Sequence, residues 1–166
     1  MFFVSVFRQF DQRTGRSWQG VGVQPDLVVS TVRALSVAHL EAVKGLALKA
    51  TDASRKQQLS WLAPLLEVEA YGPKEVSEAV LQSYVGKYDE GRIEVGLAQG
   101  QLSFLGASGV RRPMRALAED LFLIEDSTVP AERQARVRFI KNVAGVVTEL
   151  RILVSDGRSF SRVRQR

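Results

Sequence analysis

The stretch Tyr84-Val85-Gly86-Lys87-Tyr88-Asp89-Glu90-Gly91-Arg92-Ile93-Glu94-Val95-Gly96-Leu97-Ala98-Gln99-Gly100-Gln101-Leu102-Ser103-Phe104-Leu105 decides the fold. Ile93, Val95 and Leu97 share one parity, and Arg92, Glu94 and Gly96 take the other. That period of two belongs to a half-buried strand, not to a helix. Tyr84–Tyr88 reads as a first strand, Asp89-Glu90-Gly91 as its turn, and Gln99-Gly100 as the turn into Gln101–Leu105. Downstream the pattern continues through Met114–Leu117, Leu121–Glu125, Ala135–Lys141, Val146–Val154 and Arg158–Val163. Ala144-Gly145 marks one turn, and Asp156-Gly157 is a strong hairpin signal. The alternation sets Val137 and Phe139 on one face and Arg136 and Arg138 on the other. The loop 128–134, with Pro130, is polar. About eight short strands with turns every 8–12 residues specify an antiparallel meander, a small barrel or a strongly curved sheet.

Upstream of Tyr84 the period is helical. Val32, Leu35, His39, Ala42, Val43 and Leu46 recur at helix spacing, and Val37, Leu40 and Ala47 widen the apolar face. A helix over 31–49 follows, with Ser30 or Thr31 as its cap. Thr51-Asp52 opens a second helical stretch with two stripes, one of Leu59, Leu62, Ala63 and Leu66, the other of Trp61, Leu65 and Val68. Pro64 predicts a kink or break near 60–64, because proline removes a helix hydrogen bond and its ring clashes with the preceding turn. Tyr71-Gly72-Pro73 ends the stretch, and a short helix over 74–83 presents Val76, Ala79 and Val80. At the start, residues 2–7 read as an apolar strand and 8–17 as a polar turn region. Trp18-Gln19-Gly20-Val21-Gly22-Val23-Gln24-Pro25-Asp26 is a shaped surface loop between strand and helix. Its glycines permit positive φ, Pro25 fixes its own φ, and Asp26 can bond its neighbouring backbone. The expected fold class is therefore α+β, an N-terminal strand and helices followed by a small antiparallel β-barrel or curved meander.

The 166 residues suffice for one domain or two small ones. With 45% hydrophobic and 25% charged residues, the composition is that of an ordinary globular protein. The absence of cysteine removes disulfides and thiolate metal sites, and the single histidine, His39, removes histidine-cluster metal chemistry. No cofactor or metal is expected. Residues 1–7 are too short and too poor in basic flanks for a signal peptide or a membrane span. The net charge of +5 reads as a mildly basic surface.

Two resemblances sharpen this picture. Thr14-Gly15-Arg16-Ser17-Trp18, Gly20-Val21-Gly22-Val23 and Pro25-Asp26 resemble the closing segment of the catalytic domain of tail-specific (C-terminal processing) serine peptidases, the family that includes interphotoreceptor retinoid-binding protein. That match covers roughly residues 3–48. Tyr84-Val85-Gly86-Lys87-Tyr88, Gly100-Gln101-Leu102, Leu121-Phe122, Val137-Arg138-Phe139, Gly145-Val146-Val147-Thr148 and Asp156-Gly157 look like the lipocalin-like β-domain appended to many bacterial serine hydrolases. Together the resemblances imply a division into 1–72, the tail of a peptidase catalytic domain plus helices; 73–83, a connecting helix; and 84–166, a lipocalin-like β-domain. They imply a bacterial, periplasmic or secreted parent enzyme. In that reading Trp18, Gly20, Gly22, Pro25 and Asp26 are a structural motif, and none of them is catalytic.

The family's nucleophilic serine lies well upstream of such a loop and has no counterpart here. Gly106-Ala107-Ser108-Gly109 lacks the spacing of a nucleophile elbow and reads as a hairpin turn. Ser5, Ser17 and Ser60 have no base at a recognisable spacing. Glu119-Asp120 and Glu125-Asp126 bracket a strand; they read as solvated turn carboxylates, with a cation site as the alternative. The chain alone is expected to be inactive as a peptidase. Its expected partners are a peptidase core or a polypeptide substrate; failing these, residues 1–50 pack on the β-domain or pair two chains. One alternative is a β-module that binds a small molecule or peptide, against which stands the narrow, side-chain-filled interior of an eight-stranded barrel. Arginines 111, 112, 115, 133, 136, 138, 158, 162, 164 and 166 allow a second alternative, a nucleic-acid surface with Phe104, Phe122, Phe139 and Phe160 as stacking rings. Alternation disfavours it by sending most of those rings into the core.

Overall fold

A computed structural model of the chain describes residues 10–15, 17 and 25–165. Two compact units result, Met1–Ser30 and Thr31–Arg166. In the first, the described residues form a turn around 12–14 and a bend at 26–27. The predicted strand 2–7 lies outside the described residues.

The second unit is α+β. Three helices, α1 (Thr31–Lys49), α2 (Ala53–Tyr71) and α3 (Glu78–Tyr84), precede eight strands. The strands are β1 (Gly86–Tyr88), β2 (Ile93–Ala98), β3 (Gln101–Leu105), β4 (Arg111–Ala116), β5 (Leu121–Ile124), β6 (Arg136–Lys141), β7 (Val147–Leu153) and β8 (Ser159–Val163). Every neighbouring pair is antiparallel and consecutive in sequence, so the sheet is an up-and-down meander. It curls until Tyr88 bridges Arg164 across the two edges and Gln165 N–H donates to Lys87 C=O at 2.8 Å. The result is a nearly closed, lipocalin-like barrel, which shields the edge strands from pairing with another chain.

Local chemistry explains the turns. Gln99 and Gly100 have φ of 51° and 74°, so β2 and β3 are joined by a two-residue turn with both central residues left-handed, the geometry that suits strand twist. Asn142 Oδ1 accepts from Ala144 N–H and Val146 N–H, closing the β6–β7 turn. Asp156 Oδ1 accepts from Arg158 N–H in the β7–β8 turn.

The barrel interior is filled. Tyr88, Ile93, Val95, Leu102, Phe104, Met114, Phe122, Ile124, Val137, Phe139 and Leu150 point into it as parity requires, and Val147 joins them across the register shift opposite Ile140 and Lys141. Helix α3 plugs it with Leu81 and Tyr84. The Tyr84 ring stacks on Phe139 at 4.1 Å, and Phe122 meets both rings edge-on at 5.7 Å. Such aromatic pairs add about 0.5–1.5 kcal/mol each beyond their buried area. This plug corrects the expected strand Tyr84–Tyr88: Tyr84 is the last residue of α3, and its fully buried ring enters the core from the helix end. The strand begins at Gly86, and the helix begins at Glu78 instead of 74.

Helix α2 is the middle layer. Leu59, Leu66 and Ala70, with Leu62 and Ala63, meet Val37, Leu40 and Val43 of α1. Leu65 and Val68 meet Leu117, Leu121 and Leu123 on the outside of the barrel. The two stripes in the sequence are thus two contact faces. β5 is buried on both sides, with Phe122 and Ile124 inside and Leu121 and Leu123 under α2. Asp52 caps α2 by accepting from Arg55 N–H at 2.7 Å. The expected break does not occur: α2 is continuous through Pro64, held on both faces by packing. No described helix is long and apolar enough to cross a membrane.

Candidate functional site

Of the predicted motif residues, Trp18, Gly20 and Gly22 lie outside the described residues. Pro25 and Asp26 are described, and both are exposed. His39, expected beside the apolar face and partly buried, is exposed instead, because α1 turns a neighbouring stripe toward α2. That leaves an apolar surface uncovered within the Thr31–Arg166 unit. Val32 is 92% exposed, Leu35 82% and Leu46 50%, and Ala42 is exposed between them. These residues and His39 run down one side of α1, next to the buried Val37, Leu40 and Val43. The apolar arc of α1 is wider than one helix can cover.

A second surface feature lies at one end of the barrel. The segment that joins α2 to α3 passes over the barrel mouth and leaves a cleft of about 620 Å³. Val76, Leu81, Leu102, Met114 and Phe122 form its apolar lining, with Arg115 and Glu125 beside them. Arg115 Nε lies 3.1 Å from Glu125 Oε1 but is out of line for a hydrogen bond. Tyr84 and Phe139 occupy the barrel centre.

The carboxylates considered as cation ligands are taken up by bases. Glu119 faces Lys141 at 3.4 Å, Asp120 faces Arg138 at 3.5 Å, and Asp126 faces Arg112 at 3.0 Å. No cluster among the described residues could hold a metal ion. Hydrogen bonds from the Thr128 hydroxyl and backbone, helped by Arg112, hold the Asp126 carboxyl below its usual range. Ser161 and then Arg151 do the same for Glu149, and Arg111 does it for Glu94. A general acid needs the opposite shift. Ser108 sits in the β3–β4 turn, where its hydroxyl accepts from Val110 N–H and Arg112 Nη1. Ser60 is exposed on α2, in a cleft whose lining contains no carboxylate or histidine.

Among the described residues the arginine-rich strands offer no free basic stripe, and Arg166 lies outside those residues. Arg111 pairs with Glu94 at 2.6 Å, Arg158 with Asp156 at 2.8 Å, and Arg162 with Asp89 at 3.3 Å. Arg164 is a structural latch. Its guanidinium donates to the carbonyls of Ser83, Val85 and Val147 across the barrel seam. Gly86 makes room for it, since a Cβ there would lie 3.1 Å from Arg164 Nε. Phe104, Phe122 and Phe139 are core residues, and of the four candidate stacking rings Phe160 is the exposed one. Arg136 differs from the other arginines. It is 2% exposed, and its Nε and Nη2 are buried without a hydrogen-bond partner. Sequence alternation gave its outward direction, but no sequence signal told that α2 would cover it.

The chain matches no protein-family model and none of the curated proteins.

Proposed function

We propose that this chain is a non-catalytic accessory region of a serine peptidase, in which the barrel unit docks on the catalytic core through α1. The observation that carries the reading is the uncovered apolar stripe of Val32, Leu35, Ala42 and Leu46. Apolar surface arranged as a continuous helical stripe marks an interface more often than isolated exposed residues do. The composition of residues 14–26, which resembles the closing segment of a tail-specific peptidase domain, names the kind of partner. The barrel then acts through attachment, by stabilising the enzyme or presenting substrate to it. The test begins with the reading frame upstream of Met1. A serine-peptidase core encoded there is expected, and its absence sinks the proposal. Expressed together, core and chain should co-purify, and Val32→Glu/Leu35→Glu should separate them.

The cleft at the barrel mouth favours a second reading, a β-module for an apolar ligand or peptide side chain. Its lining, with Leu102 and Met114, suits an alkyl group. Saturable stabilisation of the chain by a medium-chain fatty acid, lost in Met114→Glu, would support this reading, and no change in thermal midpoint would remove it.

A further inference from the structure

Arg136 lies on the outer face of β6, between Leu123 of β5 and Leu153 of β7 in register. Trp61 of α2 covers it, with the guanidinium carbon 3.8 Å from the ring centroid. Trp61 is itself fixed, since its Nε1–H donates to Glu132 C=O at 2.7 Å. Stacking on a desolvated ring recovers part of the cost of burying the charge, but it uses only the flat face of the guanidinium. The in-plane donors are left over. Among the described residues Arg136 has no salt-bridge partner, while Arg138 and Arg158 beside it have Asp120 and Asp156. Burial lowers the Arg136 pKa to about 10, so the group remains a cation at neutral pH. A buried cation with unused donors is costly, and folded proteins rarely keep one without an anion.

The space for that anion is present. A cleft of about 280 Å³ between α2, strands β5–β7 and the β7–β8 turn is lined by Arg136, Arg138 and Arg158. Gln57 and Ser60 add polar groups from α2, and Trp61, Pro64, Leu121, Leu153 and Val154 supply apolar wall. Three arginines and no carboxylate face the cleft. A planar guanidinium fork matches a carboxylate, and the apolar wall asks for a body behind it.

We propose that this cleft binds an organic carboxylate, whose charged end pairs with the Arg136 guanidinium at the cleft wall and whose apolar part lies against Trp61, Pro64 and Leu153. The site is distinct from the α1 stripe and the barrel mouth, and the proposal stands whether or not the chain serves a peptidase. A free metabolite and the C-terminus of a peptide share this chemistry.

Benzoate is a suitable probe, with benzamide as its uncharged isostere. Titrated into the full chain, benzoate should raise the thermal midpoint saturably and perturb the Trp61 indole N–H resonance, and benzamide should do neither. Arg136→Met keeps a long side chain and removes the charge; it should fold with an equal or higher midpoint and lose the benzoate response. Arg136→Lys keeps the charge without the fork and should bind about 10-fold to 100-fold more weakly, the size expected for a charge-assisted hydrogen bond. If Arg136→Met fails to fold, Arg136→Lys decides. A short apolar peptide with a free C-terminus, set against its amide, distinguishes the two sources: competition with benzoate by the free acid alone assigns a peptide end, and no competition assigns a small carboxylate. Equal responses to benzoate and benzamide, a benzoate response that survives in Arg136→Met or is undiminished in Arg136→Lys, or a response to inorganic phosphate that exceeds the one to benzoate would each overturn the assignment.

Discussion

The barrel interior and the outer face of α1 follow the same sequence rule and end differently. Both are apolar residues recurring at the period of their element. In the barrel the stripe closes on itself: eight strands and the α3 plug bring Tyr84, Tyr88, Phe122 and Phe139 together with almost no exposure. On α1 the arc divides, so that Val37, Leu40 and Val43 find α2 while Val32, Leu35 and Leu46 find nothing within the Thr31–Arg166 unit. Hydrophobic periodicity therefore shows where apolar surface lies, and topology decides whether the chain covers it.

The sharpest way to break this comparison is to truncate one residue from each surface. Phe139→Ala removes the ring that Tyr84 stacks on and Phe122 abuts, and it should cost about 3–5 kcal/mol in urea denaturation. Leu35→Ala on the exposed stripe should stay within about 0.5 kcal/mol of wild type. Similar costs at the two sites would mean that the stripe is already buried and the comparison false.

Much of the closed surface was legible in the sequence. The parity of Ile93, Val95 and Leu97 set the strand face, Gln99-Gly100 set a turn, and the two stripes of α2 marked its two apolar faces without their partners. The unbroken run Leu121–Ile124 also carried a signal, because a strand covered on both sides needs no alternation. What stayed hidden depended on distant pairings. Tyr84 looked like strand until Phe139, far along the chain, gave its ring a place to stack. The role of Arg164 required knowing which strands meet at the seam. Arg136 and Arg138 look alike by parity, yet α2 covers one and leaves the other beside Asp120.

Alkaline pH probes closure without a change of volume. Burial raises the Tyr88 hydroxyl to about 12, partly opposed by the Arg164 charge, while an unfolded tyrosine ionises near 10. Between these values the unfolded chain loses its proton first. The contribution of Tyr88 is thus complete below about pH 10 and is lost as pH rises toward 12, a loss on the order of 2–3 kcal/mol. The stability difference between wild type and Tyr88→Phe should shrink over that window and stay constant below it. Parallel curves through pH 12 would show that the ring is open to water.

Cutting the seam tests what holds the barrel shut. Arg164→Ala leaves the carbonyls of Ser83 and Val85 without their guanidinium donors and should cost about 1–3 kcal/mol. Amide exchange should quicken at Gln165, whose N–H bonds Lys87 C=O, before it quickens at Phe139 in the middle of the sheet. Uniform acceleration would mean that seam and core open together.

The smallest effect on stability carries the most about function. Val32→Glu/Leu35→Glu places two carboxylates where two nearly bare apolar side chains stand. If the stripe faces water in the free chain, urea denaturation should move by less than about 0.5 kcal/mol, because little apolar area is lost from the core. The carboxylates should instead act on association, since each would have to shed its water against an apolar partner surface. Light scattering of the chain alone should register any self-pairing through α1 and its loss in the double variant. Co-purification with a peptidase core should fail in that variant while the Arg136 cleft still takes benzoate. A variant that unfolds would instead place the stripe inside the fold, and the comparison between a closed and an open apolar surface would collapse into one core.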